Sequence, residues 1–131
     1  MTNTRFLNPD TVQQPTSRFS QAVLHGPAAR RLIISGQVGA KADGTIVDGL
    51  AEQTELIFDN LFAVMRAADM ELKDLVKLTI FCCAPGGAQT VREIRNKRLG
   101  SHAPASTFVQ VAGLANPKYL VEIEGEAIRE A

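Results

Sequence analysis

The sequence predicts an α+β fold in which one β-sheet carries two helices on the same face. Two kinds of periodicity lead to this prediction. Five segments have the two-residue alternation or the branched aliphatic content of strands, and two longer segments have helical character, the first with apolar residues every three to four positions. These segments occur in the order β-β-α-β-α-β-β. Because helices and sheets each need a partner layer, placing both helices on one face buries the apolar side of every element.

The predicted elements form one domain, residues 1–131, without an internal repeat or a low-complexity linker. Residues 1–17 are polar, contain two prolines and are expected to be an irregular lead-in. The longer helix is the clearest element, because Ile57, Leu61 and Val64 belong to one apolar stripe with a 3.6-residue period. The predicted strands are 18–23, 31–38, 75–82, 104–114 and 119–127, and the predicted helices are 50–69 and 88–99.

The last two strands alternate polar and apolar residues around the turn residues 115–118, and we expect them to pair as a closing hairpin. Alternate side chains of a strand point to opposite faces. If the apolar set faces the core, the other face gathers three glutamates, which is unfavourable unless water, cations or a partner subunit receives them. We therefore look for function on that face. The expected core set is Val109, Val111, Val121 and Ile123, and the opposite set is Ser106, Phe108, Gln110, Glu122, Glu124 and Glu126.

Composition and charge argue against several classes of function. The formal net charge is zero, which gives no electrostatic case for binding nucleic acid or an anionic membrane. No apolar run approaches the roughly 20 residues of a membrane span, and the N-terminus lacks the pattern of a secretion signal. Cys82 and Cys83 are adjacent and would point to opposite faces of a strand, which argues against a disulfide framework or a cysteine zinc site. A cytoplasmic protein is the simplest interpretation.

Glu122 is the carboxylate best suited to chemistry. Half-buried against a neighbouring subunit, it could hold or activate a water molecule; the alternative is an ordinary solvated strand glutamate. Ser35 and Gly36 end a hydrophobic strand with a hydroxyl and a residue that allows close approach of a ligand, or they mark a bulge or strand end.

Other polar groups give weaker signals. Arg92, Arg95 and Arg98 recur every three residues on the second helix, a spacing that suits an anion or RNA-phosphate site but is also common on solvated faces. The chain has no Trp and one Tyr, which argues against single-strand binding. His25 and His102 lack metal-ligand spacing, and Ser106 lacks the glycine elbow of a catalytic serine, so none of the three residues is a strong candidate for a metal or catalytic site.

Several short motifs carry a resemblance through their order and spacing. They are Ser35-Gly36-Gln37, Gln53-Thr54, Asn60-Leu61, Asp74-Leu75-Val76-Lys77-Leu78-Thr79-Ile80-Phe81, Pro104-Ala105 and Val121-Glu122-Ile123-Glu124. In this ordered set the chain resembles the RidA/YjgF family, from about Phe19 to the C-terminus. The resemblance implies the chorismate mutase-like fold and a homotrimer with three clefts between subunits. It also implies hydrolysis of reactive enamines or imines, such as 2-aminoacrylate and 2-iminopropanoate, to a keto acid and ammonia without a cofactor.

The resemblance also assigns cleft residues. Glu122 matches the family's water-positioning glutamate, and Ser35 matches a serine that would hydrogen-bond the ligand. Ser106 replaces the arginine of the family's Pro-Ala-Arg-Ser motif, so a bidentate clamp for the substrate carboxylate becomes a hydroxyl. The remaining implied cleft residues are Phe19 for a tyrosine, Phe108 for a cysteine or threonine, Arg92 for an asparagine, and Thr107, whose backbone with that of Ser106 would supply polar contacts.

These assignments lead to an expected function with open alternatives. The expected function is hydrolysis or deamination of an enamine, imine or related C–N compound, with weak turnover of 2-iminopropanoate. One alternative is a binding protein that holds a metabolite in the same cleft; a ribonuclease or translation inhibitor has little support from charge. Arg92 could enter the cleft and bind an anion from another wall. The expected partners are a small-molecule ligand and further copies of the chain, without membrane or nucleic acid.

Overall fold

A computed structural model describes residues 4–7, 18, 20, 22–24 and 29–130 of the chain. Within these residues the order of elements includes six strands and two α-helices, with a short 3-10 helix at Leu72–Asp74. The strands are β1 (Arg5–Leu7), β2 (Ala22–Leu24), β3 (Ala29–Val38), β4 (Leu75–Cys82), β5 (Ala105–Gln110) and β6 (Val121–Glu130), and the helices are α1 (Leu50–Ala67) and α2 (Ala88–Leu99).

The predicted boundaries of β4 and α2 agree with the structure at both ends. The first strand differs, because strand geometry covers Ala22–Leu24 and pairs with Arg5–Leu7, which lie in the segment expected to be irregular. The helix α1 also ends two residues earlier than predicted. Asp69 has a φ of 58°, and the N–H groups of Asp69 and Met70 donate to the carbonyls of Arg66 and Met65, a Schellman ending that stops the helix.

The main sheet has the strand order β3-β6-β4-β5, so the predicted closing hairpin is wrong. β6 lies between β3 and β4 and is antiparallel to both, whereas β5 is parallel to β4. A parallel pair needs a crossover connection, which α2 supplies. The chain then passes over the end of β4, where Val111 N–H donates to Cys82 O and Cys83 N–H donates to Leu120 O. The turn residues 115–118 indicate that the chain changes direction there, but a change of chain direction does not determine which strands pair.

The hydrophobic core lies between one face of this sheet and both helices. Val121 and Ile123 are fully buried in it, as the alternation predicted. Burying such a side chain contributes about 1.5–3 kcal/mol relative to leaving it in water. The sheet and helix residues that meet there include Leu78, Ile80, Val121, Ile123, Ile57, Phe58, Leu61, Val91 and Leu99.

The face assignment of β5 is the reverse of the prediction. Phe108 pairs with Ile80 and packs against the core, and Ser106 pairs with the buried Leu78. Val109, expected in the core, pairs with Phe81 and is 36% exposed. Alternation shows which residues share a face but not which face is buried, and the register with β4 decides this. We call the sheet face away from the helices the open face; it carries Lys77, Thr79, Phe81, Thr107, Val109, Glu122, Glu124 and Glu126.

A buried glutamine joins α1 to the segment that leads into β6. The Gln53 side-chain amide donates to Val47 O at 3.0 Å and to Lys118 O at 2.8 Å, and its Oε1 accepts from Leu120 N–H at 2.9 Å. Gln53 is 1% exposed. It therefore satisfies backbone groups of two loops and fixes the start of the strand that carries Glu122.

We expect Gln53→Ala to lower the free energy of unfolding by about 2–3 kcal/mol, because three partly buried hydrogen bonds to the backbone are lost. Urea unfolding followed by circular dichroism measures this change. Gln89→Ala, which removes an exposed glutamine of α2, is the matched control and should stay within about 0.5 kcal/mol of the parent protein. Equal effects of the two substitutions would contradict the structural role of Gln53.

Candidate functional site

Glu122 lies on the open face at the point where β3 is irregular. It pairs with Val38 on one side and with Phe81 on the other, and the register of β3 shifts between Ile34 and Gln37. Gly36 lies inside this bulge, and a methyl group built on it would overlap Glu122 Oε2. The half-buried carboxylate is thus packed over a residue that has no side chain.

The other two glutamates of the open face have cations of the same chain beside them. Glu126 forms a 2.8 Å ion pair with Arg31. Lys77 donates from Nζ to Thr107 Oγ1 at 2.7 Å, and although burial lowers the pKa of Lys77, the charges of Glu126 and Glu124 oppose that effect. The stacking of acids predicted from the sequence is therefore relieved partly within the chain. A groove of about 450 Å³ lies here, lined on its polar side by Arg31, Lys77, Thr79, Glu124 and Glu126.

Ser35 and Thr107 are both exposed. Ser35 lies next to Gly36 in the bulge of β3, and its carbonyl accepts a hydrogen bond from the Gln37 amide at 3.0 Å. Thr107 lies on the open face and is held by Lys77. Neither Ser35 nor Glu122 lines the 450 Å³ groove, so the groove and the predicted catalytic carboxylate are separate features of the open face.

Ser106 lies on the opposite side of the sheet from Glu122. Its Oγ accepts a hydrogen bond from Arg95 Nη1 of α2 at 3.4 Å. Phe108, predicted to form a cleft wall, instead packs against the hydrophobic core on the same side as Ser106. One chain therefore does not bring Glu122 together with Ser106 and Phe108.

The three arginines of α2 do not form one exposed row. Arg92 is exposed, whereas Arg98 bridges to α1 through Glu55 Oε1 at 2.9 Å and through Asp59. Arg95 is only 5% exposed. Burial lowers the pKa of Arg95, and the neighbouring charge of Arg92 lowers it further.

The burial of Arg95 was not predicted, although the sequence contains a pattern that indicates it. Val91, Arg95 and Leu99 are spaced by four residues, and all three are buried. Residues four apart share a helix face, so the arginine occupies the apolar stripe of α2. An arginine in that position is rarely a solvated one.

The N-terminal part of the chain reaches β5 at one described residue. Ser20 is 3% exposed, its N–H donates to Pro104 O at 3.0 Å, and its hydroxyl donates to Ala103 O. It also forms a parallel bridge with Ala105, directly before Ser106. Phe19, the predicted wall residue, lies outside the described residues.

Comparison with known proteins identifies the family. The sequence model of the family described as Endoribonuclease L-PSP matches residues 11–129. The chain belongs to the RidA/YjgF family. A 2-iminobutanoate/2-iminopropanoate deaminase of Homo sapiens is 34% identical over 113 residues, covering 85% of this chain and 80% of that one. A RutC family protein of Pyrococcus horikoshii is 31% identical over 124 residues, covering 92% and 94%.

Solved structures of the RidA/YjgF family have the same fold. A Rid-family protein of Yersinia pestis, YyfB, superposes with a TM-score of 0.84 at 33% identity and covers 95% of this chain and 98% of its own. RidA from a Psychrobacter species superposes with a TM-score of 0.71 at 29% identity and covers 94% and 98%. The chorismate mutase-like α+β fold predicted from the sequence is confirmed.

The described residues hold neither a candidate metal cluster nor a helix that could cross a membrane. No group of three or more His, Cys, Asp or Glu side chains there is arranged to hold a metal ion. No helix in that part of the RidA/YjgF chain is long and apolar enough to cross a membrane. The cleft roles of Ser35, Arg92, Ser106, Thr107 and Glu122 stay predictions.

The packing of Glu122 over Gly36 gives a structural prediction. We expect a crystal structure of Gly36→Ala to show the Glu122 carboxylate rotated away from β3, because the added methyl group occupies its place. The matched control is Gly113→Ala, where an added methyl group meets nothing within 4 Å. A Glu122 side chain that keeps its position in Gly36→Ala would show that the bulge does not determine where the carboxylate lies.

Proposed function

We propose that this protein hydrolyses an enamine, imine or related C–N compound in a cleft between subunits of a homotrimer. The observation that carries the proposal is the Glu122 carboxylate, half-buried on the open face and packed over Gly36. Family membership and the 34% identity to a protein named 2-iminobutanoate/2-iminopropanoate deaminase support the reaction class. Cys82 and Cys83 are free thiols, which fits a reducing cytoplasm.

The proposed chemistry needs one water molecule and one proton acceptor. Glu122 accepts a hydrogen bond from the water and takes its proton as the oxygen adds to the imine carbon. The proton then passes to the nitrogen and gives a carbinolamine. The proton of its hydroxyl group next moves to the nitrogen, the C–N bond breaks, and a carbonyl compound and ammonia leave. An enamine first takes a proton at carbon to become the imine. Ser35 would hydrogen-bond the ligand, and Phe19 would form a wall of the cleft.

The need for a second subunit follows from the distribution of the predicted residues. Glu122 and Thr107 lie on the open face, whereas Ser106 lies on the side of the helices. A cleft that contains both groups must combine residues from two chains. The open face also exposes Val109 and Ile33, at 36% and 60%, and apolar side chains gathered on one sheet face suit an interface.

Ser106 is the reason to expect a substrate other than 2-iminopropanoate. A hydroxyl replaces a guanidinium that would project from β5, and a hydrogen bond to a charged group contributes about 1.5–3 kcal/mol. The favoured substrate is therefore a C–N compound other than 2-iminopropanoate. The same replacement favours the alternative, a non-catalytic protein that binds a metabolite. A ribonuclease function has less support, because the net charge is zero and Arg98 is engaged by Glu55.

The turnover experiment separates the hydrolase from the binding protein. Freshly generated 2-aminoacrylate and 2-iminobutanoate are supplied, and ammonia release is followed above the uncatalysed rate. We expect weak activity in the parent protein, because Ser106 replaces the family's arginine, and we expect Glu122→Gln to lose this activity, because general-base assistance contributes about 10²–10⁴ in rate. Glu124→Gln, a neighbour on the same face, is the control and should keep activity.

Full turnover by Glu122→Gln would remove the proposed mechanism. If the parent protein shows no turnover but Ser106→Arg is active, the parent protein has either lost catalysis or acts on a different substrate. RNA cleavage that persists through stringent purification would favour the ribonuclease.

The oligomeric state is tested separately. We expect light scattering after size-exclusion chromatography to give the mass of three chains of 14.1 kDa each. Val109→Asp should lower that mass, because it places a charge in the covered open face. Ala63→Asp, on the exposed side of α1, is the control and should leave the mass unchanged. A monomeric parent protein would contradict a site shared between subunits.

A further inference from the structure

We propose that the 450 Å³ groove on the open face binds a free aliphatic α-amino acid, with Lys77 holding its carboxylate and Glu124 holding its ammonium group. This groove is a second small-molecule site of the protein. It does not rest on the hydrolase proposal, because every residue that lines the groove belongs to one chain and Glu122 is not among them.

The first argument is the balance of charge in the groove. Its polar lining contains two cations, two carboxylates and one hydroxyl, namely Arg31, Lys77, Glu124, Glu126 and Thr79. A simple anion would be repelled by the carboxylates, and a simple cation would be repelled by the arginine and the lysine. A ligand that carries one charge of each sign avoids both costs.

The second argument is the hydrogen-bonding capacity that these groups retain. Arg31 and Glu126 form an ion pair with each other at 2.8 Å. Lys77 uses one of its three N–H donors on Thr107 Oγ1 at 2.7 Å, so two donors remain. Glu124 is exposed and forms no hydrogen bond or ion pair with a residue that the structure describes. The groove therefore offers free donors on β4 and a free acceptor on the neighbouring strand β6.

The third argument is the spacing of these two groups. Lys77 pairs with Glu126 and Thr79 pairs with Glu124 across the β4–β6 ladder, so Lys77 and Glu124 are diagonal neighbours on one face. The Cα atoms of such diagonal pairs lie about 7–8 Å apart, a distance that long side chains can span. The carboxylate and the ammonium group of an α-amino acid are attached to the same carbon atom, so both can bind in this gap at once.

The apolar lining indicates the side chain of the ligand. Val76 and Ile128 are only 4% and 7% exposed, which places them at the bottom of the groove, and neither belongs to the core between the sheet and the helices. Ala105 adds a third apolar surface. The volume of about 450 Å³ lies within the range of roughly 300–1,000 Å³ that is typical of small-ligand sites. An amino acid with a branched aliphatic side chain suits this lining.

The test uses L-leucine and two analogues of it, 4-methylpentanoate, which lacks the amino group, and 3-methylbutylamine, which lacks the carboxylate. Isothermal titration calorimetry on the full chain measures the three affinities. We expect L-leucine to bind at least about tenfold more tightly than either analogue, because each analogue loses hydrogen bonds to a charged group.

Two substitutions assign the two ends of the ligand. Lys77→Gln should lower the affinity for L-leucine to that of 3-methylbutylamine, and Glu124→Gln should lower it to that of 4-methylpentanoate. The matched controls are Lys97→Gln and Glu93→Gln, which remove exposed charges of α2 and should leave the affinity unchanged.

A second measurement follows from the position of the groove on the face that we propose other copies of the chain to cover. An amino acid bound there stabilises the folded protein by mass action. Excess L-leucine should therefore raise the melting temperature of the parent protein but not that of Glu124→Gln.

These outcomes are independent of turnover. Glu122→Gln should lose ammonia release and keep the affinity for L-leucine, whereas Glu124→Gln should do the opposite. If the parent protein releases no ammonia but binds L-leucine through Lys77 and Glu124, the hydrolase proposal fails and the amino-acid site stands.

Four results would overturn the amino-acid site. They are equal binding of L-leucine and its analogues, no binding of L-leucine, an affinity that Lys77→Gln and Glu124→Gln leave unchanged, and an affinity that Glu122→Gln abolishes. The last result would place L-leucine in the proposed catalytic cleft instead of the groove.

Discussion

The position of β6 between β3 and β4 is the constraint on which the rest of the structure depends. Antiparallel ladders on both sides fix the register of this strand, and Val121 and Ile123 are buried beneath it. A slip of one residue would move the core side chains to the open face and Glu122 into the core. The position of the carboxylate is therefore a consequence of backbone pairing and core burial, and Gly36 supplies the room that this position requires.

The edge strand β5 is constrained in a different way. β5 pairs with β4 on one side, and the preceding helix α2 contributes Arg95, which donates to Ser106 of β5. The β4-α2-β5 crossover therefore places Arg95 next to Ser106. Glu122 and Ser106 thus belong to different strands and different faces of one sheet. This separation makes a shared cleft a geometric requirement of the proposed chemistry, because a sheet that is covered by helices on one face offers no path between its two faces.

Local patterns in the sequence predicted much of the fold. The apolar stripe of α1 and the branched run of β4 identify these elements, because helix and strand periods are properties of neighbouring residues. The pairing of β5 with β4 was not visible, since it depends on contacts between distant segments. Phe108 and Val109 were assigned to the wrong faces for the same reason: both are apolar, and only the register with Ile80 and Phe81 separates them. Arg95 could have been found from its spacing with Val91 and Leu99, whereas the overlap of Glu122 with Gly36 needs coordinates.

Ser20 links the early part of the chain to the strand that carries Ser106. The backbone N–H and the hydroxyl of Ser20 donate to Pro104 O and Ala103 O, so a change in the conformation of β5 would also move Ser20. Arg18, two residues earlier, is exposed. An environment-sensitive fluorophore attached at that position would report a change in the conformation of β5, and the protein could serve as a metabolite sensor if ligand binding in the proposed cleft produces such a change.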